Sequence, residues 1–138
     1  PRRVACIEWI DPLMAAGNWV PELVNKAGGI NLFGKSGKHS PWLDPKDLFY
    51  QDPEIIIIMP CGYDIKKSIR DIKPLFKIKG WEKIRAVKEG QVYIVDGSQY
   101  FNRPGPRLID SLEILIEIIH QNQISFGHEG RGWIKYYN

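Results

Sequence analysis

The residues best suited to bind a ligand follow three predicted strands. They are Trp9 after the first strand, Cys61 and Tyr63 after the second, and Tyr100, Phe101 and Arg103 after the third. In an open sheet of parallel strands joined by helices, ligands collect outside the carboxyl ends of the strands, because the loops converge there. The aromatic and polar groups of these loops therefore predict a ligand-binding rim along one edge of the sheet.

A second candidate binding element is the Gly- and Lys-rich loop of residues 34–42, which ends at Trp42. Pro41 stiffens the backbone just before this tryptophan. Its indole could present a flat apolar surface that stacks on a planar ligand. The spacing alone is equally compatible with an indole that packs on its own helix, so both interpretations stay open at this point.

Gly29 to Ser36 match the spacing of a phosphate-binding loop. Such a loop must leave a buried strand and enter a helix whose N-terminal amides face the phosphates. Here the segment follows a predicted helix, and Pro41 and Pro45 prevent a long helix directly after Ser36. We therefore reject a nucleotide site.

Groups that could carry out catalysis are sparse. The three histidines, His39, His120 and His128, are far apart and lack the paired spacing of a metal site. There is no serine in a Gly-x-Ser-x-Gly turn. Glu8 and Asp96, at two strand ends, could act as acid and base, but capping and turn roles are favoured. Catalysis is not the favoured function.

Composition excludes several classes of protein. A length of 138 residues, with 43% hydrophobic and 25% charged residues, is typical of one globular domain. The net charge of +3 is small and scattered, so we expect no nucleic-acid partner. No apolar run approaches the ~20 residues of a membrane helix, and we expect a soluble chain.

The start at Pro1 looks like the cut end of a longer chain. A disulfide between Cys6 and Cys61 has little support.

The elements alternate as in βαβ units, which predicts an α/β fold: a single Rossmann-like lobe with a mainly parallel sheet of about four strands flanked by helices. Residues 55–58 are apolar at every position, as in a strand covered on both faces. We expect residues 1–120 to form the lobe and residues 121–138 to form an irregular tail. The predicted helices cover residues 19–27 with Asn18 as cap, 44–51 with Asp44 as cap, 64–76 with a kink at Pro74, 81–87, and a final helix starting at Pro106.

Several of these segments together resemble a known family. They are residues 7–13, 16–19, 22–24, 27–33, 40–42, 52–58, 86–93 and 103–108, with Trp81. In this order they are similar to the substrate-binding proteins of ABC importers for cobalamin and iron–siderophore complexes, particularly the cobalamin-binding branch. The resemblance spans roughly residues 3–120, which makes it more specific than any short motif.

The resemblance implies two α/β lobes joined by a long helix, with the ligand in the cleft between them; this sequence matches the C-terminal lobe only. It implies noncovalent binding of a corrinoid or similar metal chelate as transported ligand, with no resident cofactor. Trp42 would contact the ligand, and Trp9, Tyr63, Tyr100 and Phe101 would share the rim. His39 could approach the metal of the chelate, with a solvated loop histidine as the alternative.

The resemblance also implies docking on an ABC permease through an acidic residue on the short helix after the tryptophan loop. Lys46 stands at that position, so Asp47 would have to substitute for it. The N-terminal lobe is a further implied partner, because half a cleft should bind a large ligand weakly. We expect a periplasmic or cell-surface location if a signal exists upstream, and a cytoplasmic one otherwise.

Two other hypotheses remain open at this stage. One is a cytoplasmic enzyme or chaperone that handles a tetrapyrrole or metal cofactor at the same rim, with Cys61 and His39 as ligands. The other is a free-standing lobe that pairs with itself or with another chain to complete the cleft.

Overall fold

The computed structural model describes residues 1–100, 108–121 and 123–137. The predicted rim residues Phe101 and Arg103, and the predicted helix start at Pro106, lie outside this part. The strands are β1 (Arg3–Trp9), β2 (Met14–Ala15), β3 (Ile30–Asn31), β4 (Ile55–Ile58), β5 (Val92–Val95) and β6 (Trp133–Lys135). The helices are α1 (Val20–Lys26), α2 (Pro45–Gln51), α3 (Ile65–Asp71), α4 (Lys73–Phe76), α5 (Arg85–Lys88) and α6 (Leu108–Ile119), with a 3₁₀ turn at Trp81–Lys83.

The strands form one mixed sheet in the order β2-β1-β4-β5-β6, with β3 also paired to β1. The centre is parallel: Cys6 of β1 lies opposite Ile57 of β4, which lies opposite Tyr93 of β5. The short strands β2 and β6 pair antiparallel with β1 and β5. The predicted α/β lobe is therefore confirmed, with six strands in the described residues where about four were expected.

Strand β4 lies at the middle of the core, and its four isoleucines are fully buried. Successive strand residues point to opposite faces, so Ile55 and Ile57 pack with α1 and α6, while Ile56 and Ile58 pack with residues of α2, α4 and α5. This two-sided burial explains the uninterrupted apolar run. Among the described residues, no helix is both long enough and apolar enough to span a bilayer.

The helix termini test three local predictions. Asp44 caps α2 as expected, because its Oδ1 accepts a hydrogen bond from the Lys46 amide at 2.9 Å. The Asn18 cap is wrong: Asn18 lies outside α1 with φ of 56°, and Trp19 at the cap position makes no side-chain capping bond. The helix expected over residues 64–76 is divided into α3 and α4, with Pro74 in the first turn of α4, where a proline is tolerated.

The prediction that residues 121–138 form an irregular tail is corrected in part. Trp133–Lys135 form strand β6, which pairs with β5. Three residues are too few to show a period in the sequence. The buried carboxylate of Glu117 on α6 holds this segment in place. It accepts hydrogen bonds from Trp133 Nε1 at 2.7 Å, from the His128 amide at 3.3 Å and from the Phe126 amide.

Candidate functional site

An open pocket of about 530 Å³ lies at the carboxyl ends of β1 and β4. We call it the rim pocket. Its lining includes Glu8, Trp9, Trp19, His39, Trp42 and Cys61. Four of these, namely Trp9, His39, Trp42 and Cys61, are residues that the sequence predicts to bind ligand, although they come from three separate segments of the chain.

His39 and Trp42 reach the rim pocket because their loop is hydrogen-bonded along the segment that follows β1. The Ala15 amide donates to the Pro41 carbonyl at 3.1 Å, and the Leu43 amide donates to the Leu13 carbonyl at 2.9 Å. Met14 and Trp42 also form an antiparallel bridge. The loop is therefore an extension of the sheet, and its side chains have a defined position beside Trp9.

The loop can approach this closely because residue 17 is glycine. A Cβ at Gly17 would lie 2.7 Å from the Lys38 carbonyl oxygen and 2.8 Å from the backbone of His39 and Ser40. Real Cβ atoms essentially never come this near to backbone. Gly17 therefore sets the separation between the two segments that form the rim pocket.

We expect Gly17→Ala to destabilise the protein by about 1 to 2 kcal/mol, because the loop must move away from the added methyl group. The same displacement should change the tryptophan fluorescence of the folded protein. Urea denaturation measures the first effect and emission spectra the second. Gly37→Asn is a control in the same loop and should cost less, since a Cβ there meets nothing within 4 Å and asparagine tolerates a φ of +77° better than most residues do. Equal behaviour of both variants would contradict this role of Gly17.

Trp42 is 69% exposed. Its indole is therefore not packed on its own helix, which was the alternative interpretation of the sequence. A large exposed aromatic surface beside a pocket is typical of a binding site. Trp42 also borders a neighbouring depression of about 630 Å³ that extends toward α2 and Lys77.

A smaller groove of about 370 Å³ adjoins the rim pocket, and Trp9 lines both. Its lining includes Tyr63, whose ring meets the Trp9 ring edge to face at a centroid distance of 5.4 Å. The ammonium group of Lys67 lies 4.2 Å from the centre of the Tyr63 ring. These contacts hold the two predicted rim aromatics as one unit.

Cys61 lines the rim pocket. Burial, and to a lesser extent the negative charge of Glu8, raise the pKa of Cys61 above its ordinary value. An activated nucleophile needs the opposite shift. Cys6, inside β1, is a buried core residue whose pKa is raised to about 12 by burial. Cys6 and Cys61 are not joined in a disulfide, in agreement with the weak support for one in the sequence.

Tyr100 lies apart from both pockets. Its ring packs against the core, with the His128 ring at a centroid distance of 6.3 Å, and its carbonyl accepts a hydrogen bond from Ser111 Oγ. Asp96, just before it, has the turn role that the sequence favours. Its Oδ1 accepts hydrogen bonds from the Ser98 amide at 2.9 Å and the Gln99 amide at 3.1 Å. The described part of the third strand-end loop therefore lines neither the rim pocket nor the groove beside it.

Lys46 and Asp47 are both exposed on α2 and line neither pocket.

Rejection of the phosphate-binding loop is confirmed, because no helix begins between Ser36 and Pro45. Trp19 lines the rim pocket, although the sequence predicts it only as part of a helix. Its position directly after Gly17 and Asn18, where two segments meet, is the signal that could have identified it.

The profile of a family described as "Periplasmic binding protein" matches residues 8–98. A vitamin B12-binding protein of Vibrio cholerae is 26% identical over 101 residues, which are 72% of this chain and 33% of that protein. A possible iron-binding periplasmic solute-binding protein of Staphylococcus epidermidis superposes with a TM-score of 0.70 at 25% identity, covering 87% of this chain and 45% of that one.

The periplasmic vitamin B12 binding protein of Vibrio cholerae superposes with a TM-score of 0.68 at 22% identity, over 89% of this chain and 46% of that chain. At this identity the likeness concerns the fold alone. The chain spans about a third of the length of the curated relatives it matches. It corresponds to one α/β lobe of these larger proteins.

Proposed function

Because this chain belongs to the periplasmic binding protein family, we propose that it is the C-terminal lobe of a substrate-binding protein that delivers a metal chelate to an ABC importer. The ligand class we propose is cobalamin or another corrinoid. Capture is noncovalent and involves no catalysis. The observation that carries the proposal is the rim pocket, where the exposed indole of Trp42 stands beside Trp9 and His39.

A corrinoid suits this pocket for three physical reasons. Its macrocycle is broad and nearly planar, so the indole rings of Trp9 and Trp42 can contact it over a large apolar area. Its cobalt accepts nitrogen ligands, which gives His39 a role if the imidazole reaches the metal. The pocket is open on one side, so a second lobe would cover the ligand and account for tight binding. Ferric siderophores and haem are the other chelates to be compared.

The remaining parts of the transport proposal concern partners. We propose docking on an ABC permease with Asp47, exposed on α2, in place of the neighbouring Lys46, and a location outside the cytoplasm. Charge pairing at such a surface affects association more than ligand capture. The alternative, an enzyme or chaperone that uses Cys61 and His39 as metal ligands, has less support, because the family profile that matches residues 8–98 is that of a periplasmic binding protein.

The proposal is tested by titrating aquacobalamin into the full-length protein and into this chain, while following tryptophan fluorescence and the corrin absorption bands. We expect saturable quenching that is stronger for the full-length protein. If His39 ligates cobalt, its imidazole replaces the bound water, and the corrin bands shift in the parent but not in His39→Ala. Quenching without a band shift would support corrinoid binding and would show that His39 does not ligate the cobalt. Absence of both signals in both proteins would exclude cobalamin.

A further inference from the structure

Three potential metal ligands that do not line the rim pocket converge between α6 and the C-terminal segment. Asp110 and Glu113 lie one turn apart on α6, and His128 approaches them from the segment that leads to β6. His128 Nε2 is 2.9 Å from Glu113 Oε1 and 4.0 Å from Asp110 Oδ1. We propose that these three side chains bind a divalent transition-metal ion of the zinc class.

The distances suit such an ion. Ligand atoms about 2.1 Å from a tetrahedral zinc lie about 3.4 Å from one another. The observed separations of 2.9 and 4.0 Å lie on either side of this value, so small rotations of the side chains place all three atoms around one centre. The three ligand atoms lie within 4.8 Å of one another.

The types of ligand select the class of metal. One imidazole nitrogen with two carboxylate oxygens suits zinc and its neighbours, whereas magnesium and calcium prefer oxygen ligands throughout. The side chains are partly buried, with exposures of 17% for His128, 27% for Glu113 and 37% for Asp110. Solvent can therefore reach the centre and supply a fourth ligand, as in open zinc sites.

The backbone around His128 gives the cluster a fixed frame. The His128 amide is held by the buried Glu117, and its carbonyl accepts hydrogen bonds from the amides of Arg131 and Gly132. A Cβ at Gly132 would lie 3.3 Å from His128 Cβ, so the turn brings the two residues close together. Because His128 also faces Tyr100, a bound ion would fasten the C-terminal segment to α6 beside the third strand-end loop.

A competition titration with Zn²⁺ and a chelating dye, on protein first treated with EDTA, tests the proposal. We expect the parent to bind one equivalent of zinc, and Glu113→Gln and His128→Ala to bind it at least about tenfold more weakly. Glu113→Gln keeps an oxygen acceptor for His128, so it removes the anionic ligand with little change in packing. In the parent, zinc should also raise Tm, and in Glu113→Gln it should not.

Two control variants separate this site from other groups that bind zinc. Cys61→Ser removes the exposed thiol, and His120→Gln removes a histidine at the end of α6 while keeping a donor for the Ala27 carbonyl. Both should bind zinc like the parent. The proposal is overturned if the parent binds no zinc, which would leave His128 and Glu113 as a hydrogen-bonded pair only. It is equally overturned if zinc binding depends on Cys61 and not on His128. Neither result bears on chelate capture at the rim pocket.

Discussion

Trp42→Ala is expected to weaken aquacobalamin binding by about 30-fold, with almost no change in stability. Loss of an indole that stacks on a planar macrocycle costs about 2 kcal/mol in binding free energy, and each 1.4 kcal/mol corresponds to about tenfold in Kd. The free energy of unfolding should change by less than about 0.5 kcal/mol, because the side chain is 69% exposed. Fluorescence titration and urea denaturation measure the two quantities.

Tyr50→Ala is the matched control for Trp42→Ala. Tyr50 is an aromatic residue on the neighbouring helix α2, is 84% exposed, and lines neither the rim pocket nor the groove beside it. Its removal should leave the affinity unchanged. If both variants lost affinity equally, or if Trp42→Ala bound as tightly as the parent, the rim pocket would not be the site of capture.

Glu117→Ala is expected to lower the free energy of unfolding by about 3 kcal/mol, because hydrogen bonds to a charged acceptor contribute about 1.5 to 3 kcal/mol each and the buried Trp133 N–H would lose its partner. Glu117 is only 4% exposed, so water cannot fully replace the carboxylate. The amides of Phe126 and His128 lose the same acceptor. Equilibrium urea denaturation, followed by circular dichroism, gives the value.

Two further variants make the Glu117 result specific. Glu117→Gln keeps one carbonyl oxygen for Trp133 and should cost about half as much. Glu22→Ala removes a surface carboxylate on α1 that pairs with Lys26 at 3.4 Å, and should cost less than about 0.5 kcal/mol. A change below about 1 kcal/mol for Glu117→Ala would show that the C-terminal segment is held by its strand pairing rather than by this carboxylate.

Local and strongly periodic features of the fold could be predicted from the sequence. The run Ile55–Ile58 indicates a strand buried on both faces because no polar side chain interrupts it, and β4 lies at the centre of the sheet. Asp44 followed by Pro45 predicts the start of α2 because capping depends on neighbours in sequence. The prediction of α2 depends only on residues adjacent in sequence. The prediction of β4 depends only on the burial of every side chain in the run.

The incorrect predictions concern contacts between distant segments. Asn18 is prevented from capping α1 because its amide donates to the Lys38 carbonyl and its carbonyl accepts from the Gly37 amide, which hold it in a left-handed conformation. Strand β6 depends on pairing with β5 and on Glu117, and three residues of Trp133–Lys135 carry no detectable period. Such partners are not visible in a single stretch of sequence.

In the candidate site too, features of the strands could be predicted from the sequence, whereas contacts between distant segments could not. Trp9 and Cys61 could be predicted as neighbours because Trp9 ends one central parallel strand and Cys61 follows the neighbouring one. That His39 and Trp42 line the same pocket follows from the close backbone contact at Gly17, 23 residues before Ser40, whose hydroxyl accepts a hydrogen bond from the Gly17 amide. The placement of Trp42 at the rim pocket supports the role that the family resemblance implies for it, and the Trp42→Ala titration tests that role.

The central claim is most directly tested by isothermal titration calorimetry of the full-length protein with aquacobalamin, a ferric hydroxamate siderophore and haem in parallel. We predict one-to-one binding of aquacobalamin that is tighter than that of the other two chelates, and weaker binding of the same ligand by this lobe alone. Tighter binding of a siderophore or haem would support chelate capture but would show that the ligand is not a corrinoid. Absence of binding for all three chelates would contradict the account.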